Sequence, residues 1–430
     1  MKKLFAISIA VCILVASFAG GAGFAALAQA EALPDGETGQ TEVSTYYAFD
    51  ADSTPLDVLK DFVSSYPDRT PASQGEKDAA KYLELTLENL GITAEMTEFR
   101  FRDPLFDELR YSNNVKGVIQ GESDKKVILV AHYDNLASYG TEETGYIGGE
   151  GAGDNGSGVA TLLYTAYLLK QGAPLDFTVE FVLTGADSGG LFGSLAYVEQ
   201  MQGRDIDNTL LVINLDALAI GDYLYMYADE VKTLHFDYFY DIASAGEYGI
   251  KAPPKNKNVI WNTVPFQGYT LTPYTHIGLM SSNSVFMNAG MNSLSFFGSN
   301  WENHFSITAE ESSTKPGIAG TDADTLENFL ELYGETANQR CTRTAELIAS
   351  ALVKDDFASV MENSRKEKFD YSFISEGGLS LVVLAVIAAA GLTVAILYYR
   401  KLKNIQDNAQ KEEDKTDNNQ KPSQKVFEDF

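Results

Sequence analysis

The chain has 430 residues, of which 32 are basic and 60 acidic, and its formal net charge is −28. This charge argues against binding to nucleic acid or docking on an anionic membrane surface, although it also favours solubility. The two cysteines are Cys12, inside the N-terminal apolar stretch, and Cys341. A mature chain without that stretch would therefore form no intrachain disulfide.

Residues 1–30 have the pattern of a secretory signal peptide. Lys2 and Lys3 precede an apolar stretch that ends in Ala28-Gln29-Ala30, a small-residue cleavage site. An uncleaved N-terminal anchor is the alternative. Residues 31–52 are acidic and rich in Gly and Thr, and we interpret them as a linker.

Between residues 53 and 360, segments with helical periodicity alternate with strand-like segments. This alternation predicts an α/β fold, a three-layer sandwich with a mostly parallel central sheet flanked by helices. Residues 219–290 break the rhythm with many aromatic residues, and we interpret them as an insertion beside the site. The predicted helices are 56–65, 76–90, 156–169, a segment from Leu191, and 324–352, and the predicted strands are 93–99, 114–120, 127–131, 177–184, 210–215 and 293–297.

A second apolar run, Leu379–Tyr399, contains 21 residues and no charge. At about 1.5 Å per residue it spans the ~30 Å hydrocarbon core of a bilayer. Arg400, Lys401 and Lys403 follow it, which predicts a cytoplasmic C-terminus and an ectodomain outside the cell. A buried core helix is the alternative. In the predicted single-pass cell-membrane protein, the flanking segments are a juxtamembrane linker (361–378) and a disordered cytoplasmic tail (400–430).

Two segments indicate a metal site. The predicted buried strand 127–131 ends just before His132, and Asp134 follows two residues later. Asp154 lies on a Gly-rich turn just before the predicted helix. An imidazole and a carboxylate at the edge of a parallel sheet are ligand types that zinc prefers.

Four sequence markers follow one another at predicted strand ends and turns: His132-Tyr133-Asp134, Gly151–Gly158, Gly190-Leu191-Phe192-Gly193-Ser194 and Asn214-Leu215-Asp216. In these markers the chain resembles the co-catalytic zinc aminopeptidases, the family that also contains glutamate carboxypeptidase and glutaminyl cyclase. The resemblance covers residues 56–352, most of the predicted ectodomain. It implies that the protein hydrolyses peptide bonds with a zinc-activated water.

The resemblance also implies roles for individual residues. Two zinc ions would share one bridging aspartate, which Asp154 matches. His132 and Asp216 match the residues that complete one ion site, and Asp134 matches the residue that orients the histidine. These positions are intact, so the resemblance implies one complete zinc site.

The second ion site departs from the family pattern. The family has a Glu-Glu pair, a general base followed by a zinc ligand, where this chain has Asp187-Ser188. A serine hydroxyl is a poor substitute for a carboxylate ligand. The remaining ligand is a histidine ahead of a Thr-x-x-Asp-Thr segment, and Gly320 stands at that position. We therefore expect one bound zinc ion.

Three further residues have alternative interpretations. Asp187 would act as the catalytic base, but its side chain is one methylene shorter than glutamate, and a carboxylate that caps the turn at Gly189 is the alternative. His304 follows the last predicted strand and is a candidate substitute ligand, with an ordinary surface histidine as the alternative. His235 lies among aromatic residues, which indicates packing in the core.

Two functions fit this mixture of intact and altered positions. The first is a membrane-anchored extracellular metallo-exopeptidase of the aminopeptidase type, which would act on a peptide or protein substrate with one zinc ion. The second is a catalytically lapsed receptor or scaffold that binds peptides or proteins at the cell surface. A metal-stabilised structural domain of a larger membrane assembly is a third interpretation.

Overall fold

The structure is a computed structural model that describes residues 45–141, 143–228, 233–253, 281–302 and 312–369. The predicted signal peptide (1–30), membrane span (379–399), cytoplasmic tail (400–430) and candidate ligand His304 lie outside these residues. Within them, no helix is both long enough and apolar enough to span a bilayer. The chain divides into two units after Arg365, and the central sheet belongs to the first unit.

Eight strands of the described residues form a central sheet, and two more form a small hairpin. They are β1 (Thr93–Arg102), β2 (Leu109–Ile119), β3 (Lys126–His132), β4 (Ser138–Thr141), β5 (Gly145–Ile147), β6 (Thr178–Thr184), β7 (Thr209–Asp216), β8 (Tyr223–Ala228), β9 (Ile250–Lys251) and β10 (Ser293–Ser299). The central order is β1-β2-β6-β3-β7-β10-β8-β9, and β4 pairs with β5. The four inner strands β6, β3, β7 and β10 pair in parallel, as predicted. Antiparallel pairs join β1 to β2, β2 to β6, and β8 to β10.

Several helices of the described residues begin at a polar cap. Thr54, Ser73, Thr233 and Thr325 each accept a backbone N–H of the first helical turn, which stabilises the start of the helix. The helices are α1 (Pro55–Ser65), α2 (Gln74–Asn89), α3 (Ser157–Gln171), α4 (Phe192–Gln200), α5 (Gly203–Asn208), α6 (Leu234–Ala245), α7 (Asn283–Asn288), α8 (Leu326–Leu352) and α9 (Phe357–Phe369).

The sheet is covered on both faces, which confirms the predicted three layers. Val127 and Leu129 of β3 belong to the larger core, which includes residues of α1, α2, α3 and α8. Ile128 and Val130 point to the opposite face and pack with residues of α4, α5 and α7. Because side chains alternate along a strand, a strand buried on both faces reads as a continuous apolar run.

Three predicted boundaries differ from the structure. Part of the presumed insertion, 219–290, is β8, which pairs with β10 inside the central sheet. The presumed linker 31–52 includes Tyr47 and Phe49, which pack against the core. The presumed juxtamembrane linker from residue 361 begins inside α9, where Met361 is buried. In the last two cases, packing against the core extends the folded region beyond the predicted limit, and in the first case the segment is part of the sheet itself.

Candidate metal centre

The carboxyl ends of two neighbouring parallel strands bring His132 and Asp216 together. β3 ends at His132 and β7 ends at Asp216. The register of this pair aligns Val130 with Asn214, so the two ends lie level two residues further on. His132 Nε2 is 3.6 Å from Asp216 Oδ1.

Asp154 reaches the same point from the irregular turn Ala152–Gly156 that precedes α3. Its Oδ1 lies 3.2 Å from His132 Nε2. Asp324 holds this turn, because its two carboxylate oxygens accept the N–H groups of Gly153 and Asp154, each at 2.8 Å. The Thr-x-x-Asp-Thr segment therefore contributes a carboxylate that shapes the turn.

Asn155 ties the same turn to both strand ends. Its Nδ2 donates to the backbone oxygens of Leu215 at 2.9 Å and His132 at 3.3 Å. Its Oδ1 accepts the N–H of Ala217 at 2.9 Å. The side chain is fully buried, and both its amide nitrogen and its amide oxygen form hydrogen bonds. Asn155 therefore fixes the spacing of the two strand ends and the turn.

The ligand atoms fit a zinc ion. Among the described residues, His132, Asp154 and Asp216 form the group whose ligand atoms all lie within 4.8 Å of one another. A tetrahedral zinc with bonds of about 2.0–2.2 Å has ligand-to-ligand distances of about 3.3–3.6 Å. The measured 3.2 and 3.6 Å are close to these values. One imidazole and two carboxylates would leave one coordination position for water or substrate.

The charges around His132 explain its pKa. Burial alone lowers it, but hydrogen bonds to Asp134, Asp154 and Asp216 raise the pKa well above its usual value. Nδ1 lies 3.2 Å from the backbone oxygen of Asp134 and 3.5 Å from its carboxylate Oδ1. The contact expected between Asp134 and the histidine is therefore present, and the backbone oxygen is the nearer partner.

The carboxylate of Asp134 also holds the loop after β6. It accepts the N–H groups of Asp187 at 3.1 Å and Ser188 at 3.0 Å, together with the hydroxyl of Ser188.

Gly320, the other altered family position, is exposed with φ 62°, and a Cβ there would meet no atom within 4 Å. The part of the chain that the structure describes contains no second metal-ligand group of this kind.

Asp187 is a buried carboxylate that accepts four hydrogen bonds. It accepts the N–H of Ser194 at 2.8 Å and the hydroxyls of Thr184 at 2.7 Å, Ser194 at 2.5 Å and Ser282 at 2.8 Å. The bond to Ser194 caps the first turn of α4. Burial first, and the charge of Asp134 second, raise the pKa of Asp187, which is the direction that a general base requires.

Two adjacent serines link Asp187 to the ligand group. Ser282 donates to Asp187, and Ser281 donates to Asp216 Oδ2 at 2.5 Å. Asn214 Nδ2 donates to the Ser281 hydroxyl at 2.8 Å and so directs its hydrogen towards Asp216. The candidate base and a candidate ligand are thus held by one dipeptide at the start of α7.

Sequence reasoning missed a fully buried arginine beneath the site. Arg69 donates to the backbone oxygens of Tyr133 at 2.7 Å, Glu150 at 3.0 Å and Gly151 at 3.2 Å. It therefore joins the segment after β3 to the turn that carries Asp154. Burial lowers its pKa to about 10, so it remains charged at neutral pH.

The prediction for His235 is confirmed. Its side chain is buried, and its ring contacts the hydroxyl of Ser364 at 2.8 Å and the backbone oxygen of Ser293 at 3.2 Å. This histidine therefore packs in the fold, away from the candidate ligand group.

Known proteins share both the sequence pattern and the fold. The alkaline phosphatase isozyme conversion protein of Escherichia coli (strain K12) is 28% identical over 255 residues, which are 55% of this chain and 69% of that protein. The aminopeptidase YwaD of Bacillus subtilis (strain 168) is 32% identical over 108 residues, but these cover only 24% of this chain and 21% of that protein. The solved structure of BSAP, a zinc aminopeptidase from Bacillus subtilis, covers 71% of this chain and 97% of its own, with a TM-score of 0.54 and 14% identity. This structural likeness shows a common fold.

The sequence profile of peptidase family M28 matches residues 114–330, which is half of the chain. The matched region contains all three candidate ligands and the loop that carries Asp187 and Ser188. The resemblance to zinc aminopeptidases and glutaminyl cyclases is confirmed in the fold, and the chain belongs to peptidase family M28.

Proposed function

We propose that this chain is a zinc-dependent, aminopeptidase-like exopeptidase that hydrolyses peptide bonds with one zinc ion. The observation that carries this proposal is the convergence of His132, Asp154 and Asp216, whose ligand atoms lie within 4.8 Å of one another. Membership of peptidase family M28 supports peptide substrates. The aminopeptidases among the relatives support the removal of N-terminal residues.

The residues of the candidate metal centre would have different roles in the reaction. His132, Asp154 and Asp216 would hold the ion, which would supply a water of lowered pKa and polarise the substrate carbonyl. Asp187 would take a proton from the attacking water and return it to the leaving amine. Ser281 restrains one ligand, Asp216, while its neighbour Ser282 contacts the base.

The altered positions support one ion and not two. The hydroxyl of Ser188 is engaged by Asp134, and Gly320 has no side chain. Three protein ligands with one open coordination position are an established arrangement for catalytic zinc. The second ion of the related enzymes would lack two of its protein ligands here.

Metal content and cleavage of the full-length chain test the proposal together. We expect one zinc per purified chain and hydrolysis of aminoacyl reporter substrates. A chelator should abolish the hydrolysis, and added zinc should restore it. A chain that holds no zinc at neutral pH and cleaves none of these substrates would refute the proposal.

A non-catalytic role in binding peptides or proteins is the second candidate. The observation that favours it is the full engagement of Asp187 by four donors, because a base must exchange part of these bonds to receive a proton. Bound zinc with tight peptide binding but no cleavage would favour this role over the enzyme.

We also propose that the site lies outside the cell on a single membrane anchor. The uncharged run Leu379–Tyr399 and the basic residues after it support this location. Protease added to intact cells should then degrade the region that precedes the anchor and spare an epitope tag at the C-terminus. Protection of both regions would contradict the proposed topology.

A further inference from the structure

The loop after β6 has a backbone conformation that its surroundings impose. Ala186 has φ 51°, a left-handed value that a non-glycine residue rarely adopts without such support. Three successive N–H groups of this loop point to buried carboxylates. Ala186 donates to Glu76 Oε1 at 2.7 Å, and the next two residues donate to Asp134.

Glu76 reaches this loop from the first turn of α2. A glutamate three residues after a serine cap commonly accepts the N–H of that serine. Here the N–H of Ser73 donates to the backbone oxygen of Thr70 at 3.0 Å. The two oxygens of Glu76 instead accept the N–H groups of Ala72 and Ala186, each at 2.7 Å. The second contact joins positions 110 residues apart.

Burial makes a charge on the Glu76 side chain energetically unfavourable. Its side chain is 1% exposed, and burial first and Asp134 second raise its pKa well above the usual value. An apolar side chain would avoid this electrostatic penalty at a buried helix position. The bond to Ala72 belongs to the start of α2, whereas the bond to Ala186 reaches the loop after β6, so the helix alone does not account for a carboxylate here.

We propose that Glu76 is a positioning residue of the metal centre, an inference that rests on the proposed zinc-dependent function. By holding Ala186, it sets the direction of the next two residues, whose N–H groups bind the carboxylate of Asp134. Asp134 in turn contacts Nδ1 of His132 through both its backbone and its carboxylate. A shift of the loop would therefore turn the imidazole and displace its Nε2 from the two other ligands.

Glu76→Gln tests this role with little change of shape. Both oxygens of Glu76 accept a backbone N–H, but a glutamine has one oxygen, so its NH2 group must face one of these donors. The matched control is Glu84→Gln on the same helix, where Oε1 accepts the N–H of Met96 at 3.1 Å. Competition with a chelator on the full-length chain measures the zinc affinity. We expect a loss of about tenfold or more in Glu76→Gln and the wild-type affinity in Glu84→Gln.

The imidazole signals in an NMR spectrum supply a readout that does not depend on activity. The chain has only four histidines, so the ring signal of His132 can be assigned by substitution. In the zinc-free protein we expect this signal to move in Glu76→Gln and to stay in place in Glu84→Gln. An unchanged His132 signal together with wild-type zinc affinity in Glu76→Gln would overturn the proposal.

Two further outcomes are also decisive. If Glu76→Gln does not fold, Glu76→Asp replaces it, because the shorter side chain keeps the charge and reaches only one of the two N–H groups. The same losses are then expected. If the wild-type chain binds no zinc, the proposed function fails, and the NMR signal of His132 still decides whether Glu76 positions the imidazole.

Discussion

Asp187→Asn separates the two roles open to this residue, a proton acceptor and a cap of the turn before α4. Asparagine has nearly the same shape but no charge. If its oxygen occupies the position of Oδ1, it keeps the bond to the N–H of Ser194. Its NH2 group then faces the hydroxyls of Thr184, Ser194 and Ser282, which can rotate to accept hydrogen bonds.

The magnitude of each stability change follows from these contacts. With two N–H donors for three hydroxyls, Asp187→Asn leaves one hydroxyl without its partner, at a cost of about 1–2 kcal/mol in the free energy of unfolding. Asp187→Ala leaves all four donors unsatisfied, at about 1–3 kcal/mol each. The summed cost of the four donors is at least about 4 kcal/mol, which is a large part of the ~5–15 kcal/mol that stabilises a typical domain. The alanine variant is therefore expected to unfold readily, and the asparagine variant to remain folded.

Kinetics, zinc content and urea unfolding of Asp187→Asn then decide its role. A proton acceptor contributes about 100-fold or more to the rate, so we expect kcat/KM to fall at least that far while zinc stays bound. Because burial raises the pKa of Asp187, the folded state holds its proton more tightly than the unfolded chain does. Wild-type stability should therefore decline as the pH rises from 3.8 towards the raised value, and the variant should lack this contribution. Activity within about tenfold of wild type, with zinc bound and the modest stability loss, would refute the role as base.

Three other outcomes follow from the metal centre. His132→Ala should lose its zinc. The buried control His235→Ala should lose stability and keep the metal. Zinc retained by His132→Ala would contradict the ligand assignment. Zinc affinity should fall as the pH is lowered, because the raised pKa of His132 means that a proton competes for Nε2. Calorimetry in buffers of different ionisation enthalpy would count the released proton, and zinc binding without proton release would count against this reasoning. Ser188→Glu combined with Gly320→His should bind a second zinc, as measured by metal content per chain.

The centre of the fold could be predicted because its signals are local. β3, β6 and β7 are apolar runs buried on both faces, and helices separate them along the chain. The sheet edges could not be read in this way. β1 continues to Arg102 and β2 starts at Leu109, beyond the predicted limits, because their outer residues are exposed and carry charges that resemble a loop.

The candidate ligand group could be predicted from the family resemblance, with the strand end as a local signal for His132, while the residues that support the group could not. His132 and Asp216 end neighbouring strands, and parallel strand ends meet at one edge of a sheet. Asn155 lies in the Gly151–Gly158 marker and Asp324 in the Thr-x-x-Asp-Thr segment, but their roles depend on contacts 62 and 171 residues away. Arg69 and Glu76 had no marker, since only the folded chain places a helix start beside the loop after β6.

The resemblance implies that a second ion would join positions 188 and 320, so we expect substitutions at these two positions to be coupled. Glu76 and Asp134 hold the loop that contains Asp187, and burial first and the charge of Asp134 second raise the pKa of both Glu76 and Asp187. A glutamate at position 188 would add a fourth carboxylate beside Asp134, and without a second cation this charge is unfavourable. Gly320 offers no ligand at the position where the family resemblance implies a histidine, so we expect a neutral residue at position 188 to be favoured.

This coupling predicts how the two substitutions behave apart and together. Ser188→Glu alone should unfold at a lower urea concentration than the wild-type chain, because its charge faces Asp134 without a cation. Gly320→His alone should cost about 1–2 kcal/mol, since φ 62° is a left-handed conformation, although the space around it is open. Zinc should restore the stability of Ser188→Glu only when Gly320→His is also present. Equal restoration in the single and double variants would show that the two positions do not share an ion.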